Sequence, residues 1–218
     1  MHFQVHFKSH LVLIAVTEDK SWKVRLALSK NFAELAEAFG KEISDVSLIQ
    51  IFTTLLRDVE NDVRMASVES LSKFIHFIHI ERIATLIPHI QSLMKDQSAG
   101  VRAATMDVLN SLLGLMPKDP TIAKFQQPLV DLLNDESYDV RVAALKPTAK
   151  FIVATNAETI SVFLPALKNL SIDMKWRVRI EVLNTIIEIA LSLKVLEIYK
   201  IRIWNSFRNQ LNHYICLT

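Results

Sequence analysis

An Asp followed by a Val-Arg pair, with the Arg six residues on, returns every 38 or 39 residues along this chain. It occurs five times: Asp19 with Val24-Arg25, Asp58 with Val63-Arg64, Asp96 with Val101-Arg102, Asp135 with Val140-Arg141, and Asp173 with Val178-Arg179. A period of this length marks a solenoid, in which one supersecondary unit is stacked upon itself. It constrains both the fold and the kind of function to expect.

The apolar residues keep the same clock. Six and three residues before each Asp stand Leu13 and Val16, Phe52 and Leu55, Ile90 and Leu93, Leu129 and Leu132, Leu167 and Leu170, a spacing that marks one helical face. After the Val, offsets of eight, eleven, twelve and fifteen give Phe32, Leu35, Ala36 and Phe39 in the first unit, and Leu71, Phe74, Ile75 and Ile78 in the second. This is the stripe of a helix burying one side. Three residues after the Val a small side chain (Ala27, Ala66, Ala104, Ala143) offers room for two helices to approach closely, until the fifth unit places Glu181 there.

Each unit therefore reads as a first helix, a turn that holds the Asp, and a second helix opening near the Val-Arg. Two helices cannot enclose a core alone. A buried Leu, Ile or Phe contributes roughly 1.5–3 kcal/mol, so each pair gains stability by laying its stripe on the next. The expected fold class is all-α, an α–α superhelix of about five helical hairpins. The array occupies residues 1–192, with units at about 5–40, 41–79, 80–117, 118–156 and 157–192, and a divergent tail follows at 193–218. Gly40 suits a helix end and Pro120 a helix start. Pro88, Pro128 and Pro165 fall inside first helices, where each is expected to bend or loosen the helix, and Lys146-Pro147-Thr148 is expected to interrupt the fourth second helix.

Composition excludes several function classes. Half of the residues are hydrophobic, yet no apolar run approaches the roughly 18–20 residues needed to span a bilayer, and Leu11–Val16 is too short for a signal-peptide core. One cysteine, Cys216, leaves no internal disulfide or cysteine zinc cluster. A formal charge of +2 is too small to argue for nucleic acid without a concentrated basic face. There is no Gly-rich phosphate loop and no nucleophile elbow, so no enzyme and no cofactor are expected. His76, His79 and His89 lack accompanying carboxylate or Cys spacing and read as ordinary helix residues rather than metal ligands. The chain reads as a cytoplasmic or nuclear protein without membrane or nucleic-acid partners.

One Asp and one Arg per layer read as a structural ladder: Asp19 and Arg25, Asp58 and Arg64, Asp96 and Arg102, Asp135 and Arg141, Asp173 and Arg179. Function is expected between Asp and Val, where the units differ most. The first turn, Lys20-Ser21-Trp22-Lys23, and the last, Met174-Lys175-Trp176-Arg177, are basic and aromatic. The second, Val59-Glu60-Asn61-Asp62, and the fourth, Glu136-Ser137-Tyr138-Asp139, are acidic. Stacked turns form a ridge, so a partner would meet a basic end, an acidic middle and a second basic end, with Trp as anchors.

Asp-x-x-x-x-Val-Arg is the generic HEAT-type signature. The fuller stretch Asp19-Lys20-Ser21-Trp22-Lys23-Val24-Arg25, with Phe32-Ala33-Glu34-Leu35 and Phe39-Gly40-Lys41-Glu42-Ile43, resembles a central repeat of the scaffold (A) subunit of protein phosphatase 2A. Lys175-Trp176-Arg177-Val178-Arg179 resembles a later repeat of that scaffold, and the likeness runs from about Leu11 to Ala190. It implies a non-catalytic scaffold holding a serine/threonine phosphatase catalytic subunit together with an exchangeable regulatory subunit on the turn ridge. By that resemblance Trp22, Lys23, Glu60 and Asp62 face the regulatory subunit, while Lys175, Trp176 and Arg177 open the catalytic-subunit site. Glu136 and Tyr138 stand on the ridge between them.

Beyond about Leu191 the repeat pattern is lost in a tail holding Trp204, Phe207, Tyr214 and Cys216. That tail reads either as one more amphipathic helix over the raw end or as a shortened product or gene-model artefact. A solenoid cut in mid-array exposes apolar stripes that promote association. Two other function classes stand beside the phosphatase scaffold: a generic HEAT adaptor in transport or chromatin complexes, and a nucleic-acid-binding solenoid using Lys20, Lys23, Lys175, Arg177 and Arg202.

Overall fold

A computed structural model of the chain describes residues 11–192 apart from 118 and 156. Residues 1–10 and the tail at 193–218 lie outside the described residues, and with them the reading of that tail as an extra helix. Every regular element among the described residues is helical. Helix α1 runs through residues 11–17, followed by α2 (Trp22–Lys30) and α3 (Phe32–Phe39). Next come α4 (Lys41–Ile43), a π-helical segment (Ser44–Leu48), α5 (Ile49–Leu55) and α6 (Asn61–Phe74). Then follow α7 (Ile80–Leu93), α8 (Ala99–Leu115), α9 (Gln126–Leu133), α10 (Tyr138–Thr155), α11 (Ile160–Leu170) and α12 (Trp176–Ser192).

The second helices stack in chain order, α2 on α6, α6 on α8, α8 on α10 and α10 on α12, while α5, α7, α9 and α11 each pack on the second helix of their own unit. One apolar core runs through these layers. The expected stripes lie inside it: Leu109, Leu112 and Leu113 of α8 are buried, as are Leu71, Phe74 and Ile75. Phe32, Phe52 and Phe74 are all fully buried and meet across α3, α5 and α6, with ring centroids 4.4, 4.9 and 5.4 Å apart. Offset and edge-on contacts at these distances suit the ring quadrupoles.

Local chemistry explains several boundaries. Asn31 departs from helical geometry (φ −101°, ψ 11°) and divides the first unit's second helix into α2 and α3. Gly40 ends α3 at φ 78°, a conformation that strains any side chain. Pro120 opens a short 3₁₀ turn whose cap, Asp119, accepts the Thr121 amide at 2.8 Å. The π segment carries Asp45, whose carboxylate accepts the backbone N–H of His79 at 2.9 Å and pairs with the His79 ring, tying the second unit to the start of α7.

Three expectations fail. Val24 is 37% exposed, whereas Val63, Val101, Val140 and Val178 are fully buried. Those four stand on second helices that each pack on the second helix of a preceding layer, whereas Val24 stands on the first. The small column also sits one residue further on. Ala66 is buried as expected, but Ala27 is exposed and Ala104 and Ala143 are half-buried, whereas Ser67, Thr105 and Ala144 at the next position are fully buried. Ser67 donates to the Val63 carbonyl and lies 3.0 Å from the Ser29 hydroxyl of α2. Finally, α10 passes through Pro147 without a break. The missing amide and ring clash cost about 3 kcal/mol, but α10 is sandwiched between α8 and α12, and burial of Leu145, Phe151 and Ile152 offsets that cost. Pro88 and Pro165 likewise lie within α7 and α11.

Removal of one ring from the aromatic cluster leaves a cavity that its rigid neighbours cannot fill. Phe52→Ala is expected to lower the unfolding free energy by about 3–5 kcal/mol in chemical denaturation, with the loss centred on the first two units.

Candidate protein-binding ridge

The turns are built alike and linked to one another. In each, one carboxylate oxygen of the Asp accepts the backbone N–H two residues on: Ser21 at 2.7 Å, Glu60 at 3.0 Å, Ser98 at 2.8 Å, Ser137 at 2.9 Å and Lys175 at 2.8 Å. The Arg six residues later donates back to that Asp's own carbonyl, at 2.7 Å for Arg25 and 2.8 Å for Arg64. Its remaining N–H groups reach the carboxylate of the next turn. Arg25 grips Asp58 at 2.5 and 2.8 Å, Arg64 grips Asp96 at 2.7 and 2.9 Å, and Arg102 grips Asp135 at 2.7 and 2.9 Å. Arg141 bonds Asp173 at 2.9 Å. Among the described residues the row is open at both ends. The Asp19 carboxylate has no Arg, and Arg179 bonds only the carbonyls of Asp173 and Met174.

Burial pushes the carboxyls of Asp58, Asp96 and Asp135 up, yet the guanidinium beside each and the amide it accepts hold all three below the ordinary Asp value. The same bonds raise Arg25, Arg64 and Arg102 against their own desolvation. Arg102 additionally lies 3.5 Å from Glu136.

The ladder sets the variable residues in one row. Lys23, Glu60, Asp62, Glu136, Lys175 and Arg177 are exposed, Trp22 is 36% and Trp176 59% exposed, and Tyr138 is half-buried. Lys23 Nζ stands 6.0 Å from the Trp22 ring centre, and the Arg177 guanidinium 5.6 Å from that of Trp176. Lys175 Nζ lies 5.5 Å from the Tyr138 ring, so Tyr138, Lys175, Trp176 and Arg177 line one open cleft. The sequence grouped Tyr138 with the acidic middle. One layer of stacking joins it to the far basic group, and only the layer spacing applied to ring positions, not charge, could have revealed it. Trp22 with Lys23 remains at the opposite end of the row.

Elsewhere, His89 is pushed down by burial and then by Arg57, and its Nδ1 has no hydrogen-bond partner. Among the described residues no three His, Cys, Asp or Glu side chains gather to hold a metal ion, and no helix is long and apolar enough to cross a membrane.

The family model described as "PDS5: Sister chromatid cohesion protein PDS5 protein" matches residues 9–119, just over half of the chain. The chain belongs to that family. The PDS5 match covers α1 to α8, which form the first three units. The chain is also similar to the A beta isoform of the human serine/threonine-protein phosphatase 2A 65 kDa regulatory subunit, 32% identical over 116 residues. That match takes in 51% of this chain and 19% of the relative, so it spans about a fifth of the relative's length and is shorter than the Leu11–Ala190 resemblance. Solved solenoids share the fold. The crystal structure of Cex1p superposes with a TM-score of 0.66 at 14% identity over 86% of this chain and 37% of that one. A designed armadillo repeat protein in complex with the peptide (KR)4 gives 0.58 at 22% identity over 81% and 80%. The fold is the HEAT/armadillo-type α-solenoid.

Because folded Asp58, Asp96 and Asp135 have lowered pKa values, their contribution to stability is complete above about pH 4, the unfolded value, and is lost as pH falls through the lower folded values. The melting temperature should therefore fall steeply below about pH 4. Asp96→Asn keeps the acceptor for the Ser98 amide but not the charge. It should melt lower at pH 7 and converge with the unsubstituted protein in acid.

Proposed function

We infer that this chain is a non-catalytic scaffold that holds a serine/threonine phosphatase catalytic subunit beside a regulatory subunit on the turn ridge. The observation that carries the reading is the pair of exposed Trp-cation groups at opposite ends of a register-locked row, on a chain 32% identical to a phosphatase 2A regulatory subunit over half its length. In this reading Trp22, Lys23, Glu60 and Asp62 meet the regulatory subunit, and Tyr138, Lys175, Trp176 and Arg177 meet the catalytic subunit. Chemistry belongs to the partner, and the chain works in the cytoplasm or nucleus. An aromatic ring flanked by a cation is a fitting anchor, because it desolvates a large apolar area while steering an acidic partner.

Affinity capture from cell lysate, read by mass spectrometry, tests the assignment. The unsubstituted chain should recover phosphatase subunits. Trp22→Ala should reduce recovery of the regulatory subunit, Trp176→Ala that of the catalytic subunit, each by roughly tenfold or more, with unchanged circular dichroism. Recovery of cohesion or transport proteins without phosphatase subunits would contradict the scaffold and favour a chromatin or transport adaptor.

A further inference from the structure

The two ends of the described array lack complementary things. Five residues after the Val of each unit the second helix presents Ser29, Val68, Met106, Leu145 and Leu183. The first four are at most 1% exposed and stand on second helices that each pack against the second helix of the following layer. Leu183 is 39% exposed, and Ile187 on the same face of α12 is 51% exposed, whereas its counterpart on α10, Ala149, is fully buried. At the opposite end Val24, on the first of the second helices, is exposed, whereas the other four Val, on second helices that each pack on a preceding one, are fully buried. The charges follow suit. Among the described residues, Arg179 has no following Asp and Asp19 no preceding Arg. One end offers a guanidinium and an uncovered apolar face, the other a carboxylate and an uncovered Val.

We propose that α12 of one molecule seats on α2 of a second copy, with Arg179 gripping Asp19 of that copy as Arg141 grips Asp173 within the chain. The occupant is argued from complementarity: a second copy supplies the carboxylate at the position where four internal junctions use one. The tail at 193–218 contains no Asp, and Glu197 is its one acidic residue. The contact is heterologous and uses different faces on the two partners, so it extends into open chains rather than closing as a symmetric dimer. This inference is independent of the phosphatase reading, since it uses the ends of the array rather than the ridge between them.

Sedimentation equilibrium of the full chain over a wide concentration range tests it. The average mass should rise with concentration above that of one chain. Asp19→Arg alone and Arg179→Glu alone should each weaken association by at least about tenfold, because like charges then face each other. An equimolar mixture of the two variants should associate again, since one junction is native and the other is reversed in both signs. Rescue on mixing excludes misfolding as the cause of the loss. A chain that stays monomeric throughout overturns the proposal, as do single reversals that associate like the unsubstituted protein. If association begins only when residues 193–218 are removed, the tail is the occupant and the proposal falls.

Discussion

A guanidinium held at both ends organises this molecule. Arg25, Arg64, Arg102 and Arg141 each donate to the carbonyl of their own turn and, through the remaining N–H groups, to the carboxylate of the next, and that carboxylate in turn accepts an amide of its own turn. The bond geometry leaves little freedom for one hairpin to slide or rotate on another. Apolar stripes are tolerant of small shifts, because Leu, Ile and Phe pack in many ways at similar energy. A bidentate Arg-carboxylate pair is not, since both of its bonds demand one distance and one plane. Removing two charges from water offsets much of their attraction, so the main contribution of the pairs is to choose among stackings that the core alone would leave close in energy.

That division of labour is what makes an edge usable. With Asp and Arg occupied in holding register at each junction between turns, the four residues between Asp and Val are free to differ, and they inherit fixed positions whatever they are. Lysine beside Trp22, carboxylates at Glu60 and Asp62, and the aromatic cleft of Tyr138 and Trp176 are thereby set at repeat-spaced intervals. A partner reading such an edge needs no pocket. It needs anchors at the right separation, and the ladder supplies that separation.

The hairpins, their order and the identity of the ladder residues were legible in the sequence because each depends on a period repeated five times, and repetition averages away local noise. What failed depended on a single layer or on the packed neighbour that fixes a helix's rotation. Val24 obeys the core pattern but lies in the first layer. Pro147 carries a helix-breaking signal, and the packing of α10 between α8 and α12 overrides it. The small column was misplaced by one residue, a rotation of about 100° around a helix that only the packed neighbour fixes. Among the described residues the Asp45–His79 tie and the π segment beside it occur in one unit only, so no period announces them. Tyr138 was assigned by the charge of its own turn, whereas its ring answers to the turn above.

The central claim, that paired Arg and Asp side chains fix one layer upon the next, is tested most directly by a double-mutant cycle on Arg64 and Asp96. Arg64→Ala, Asp96→Ala and the double variant are compared with the unsubstituted protein by chemical denaturation, so the turn bonds that each residue makes alone cancel. A coupling free energy of roughly 1–3 kcal/mol is expected if the inter-layer contact holds register. A coupling below about 0.5 kcal/mol, within ordinary additivity, would mean that the apolar stripes align the layers and that the ladder merely follows.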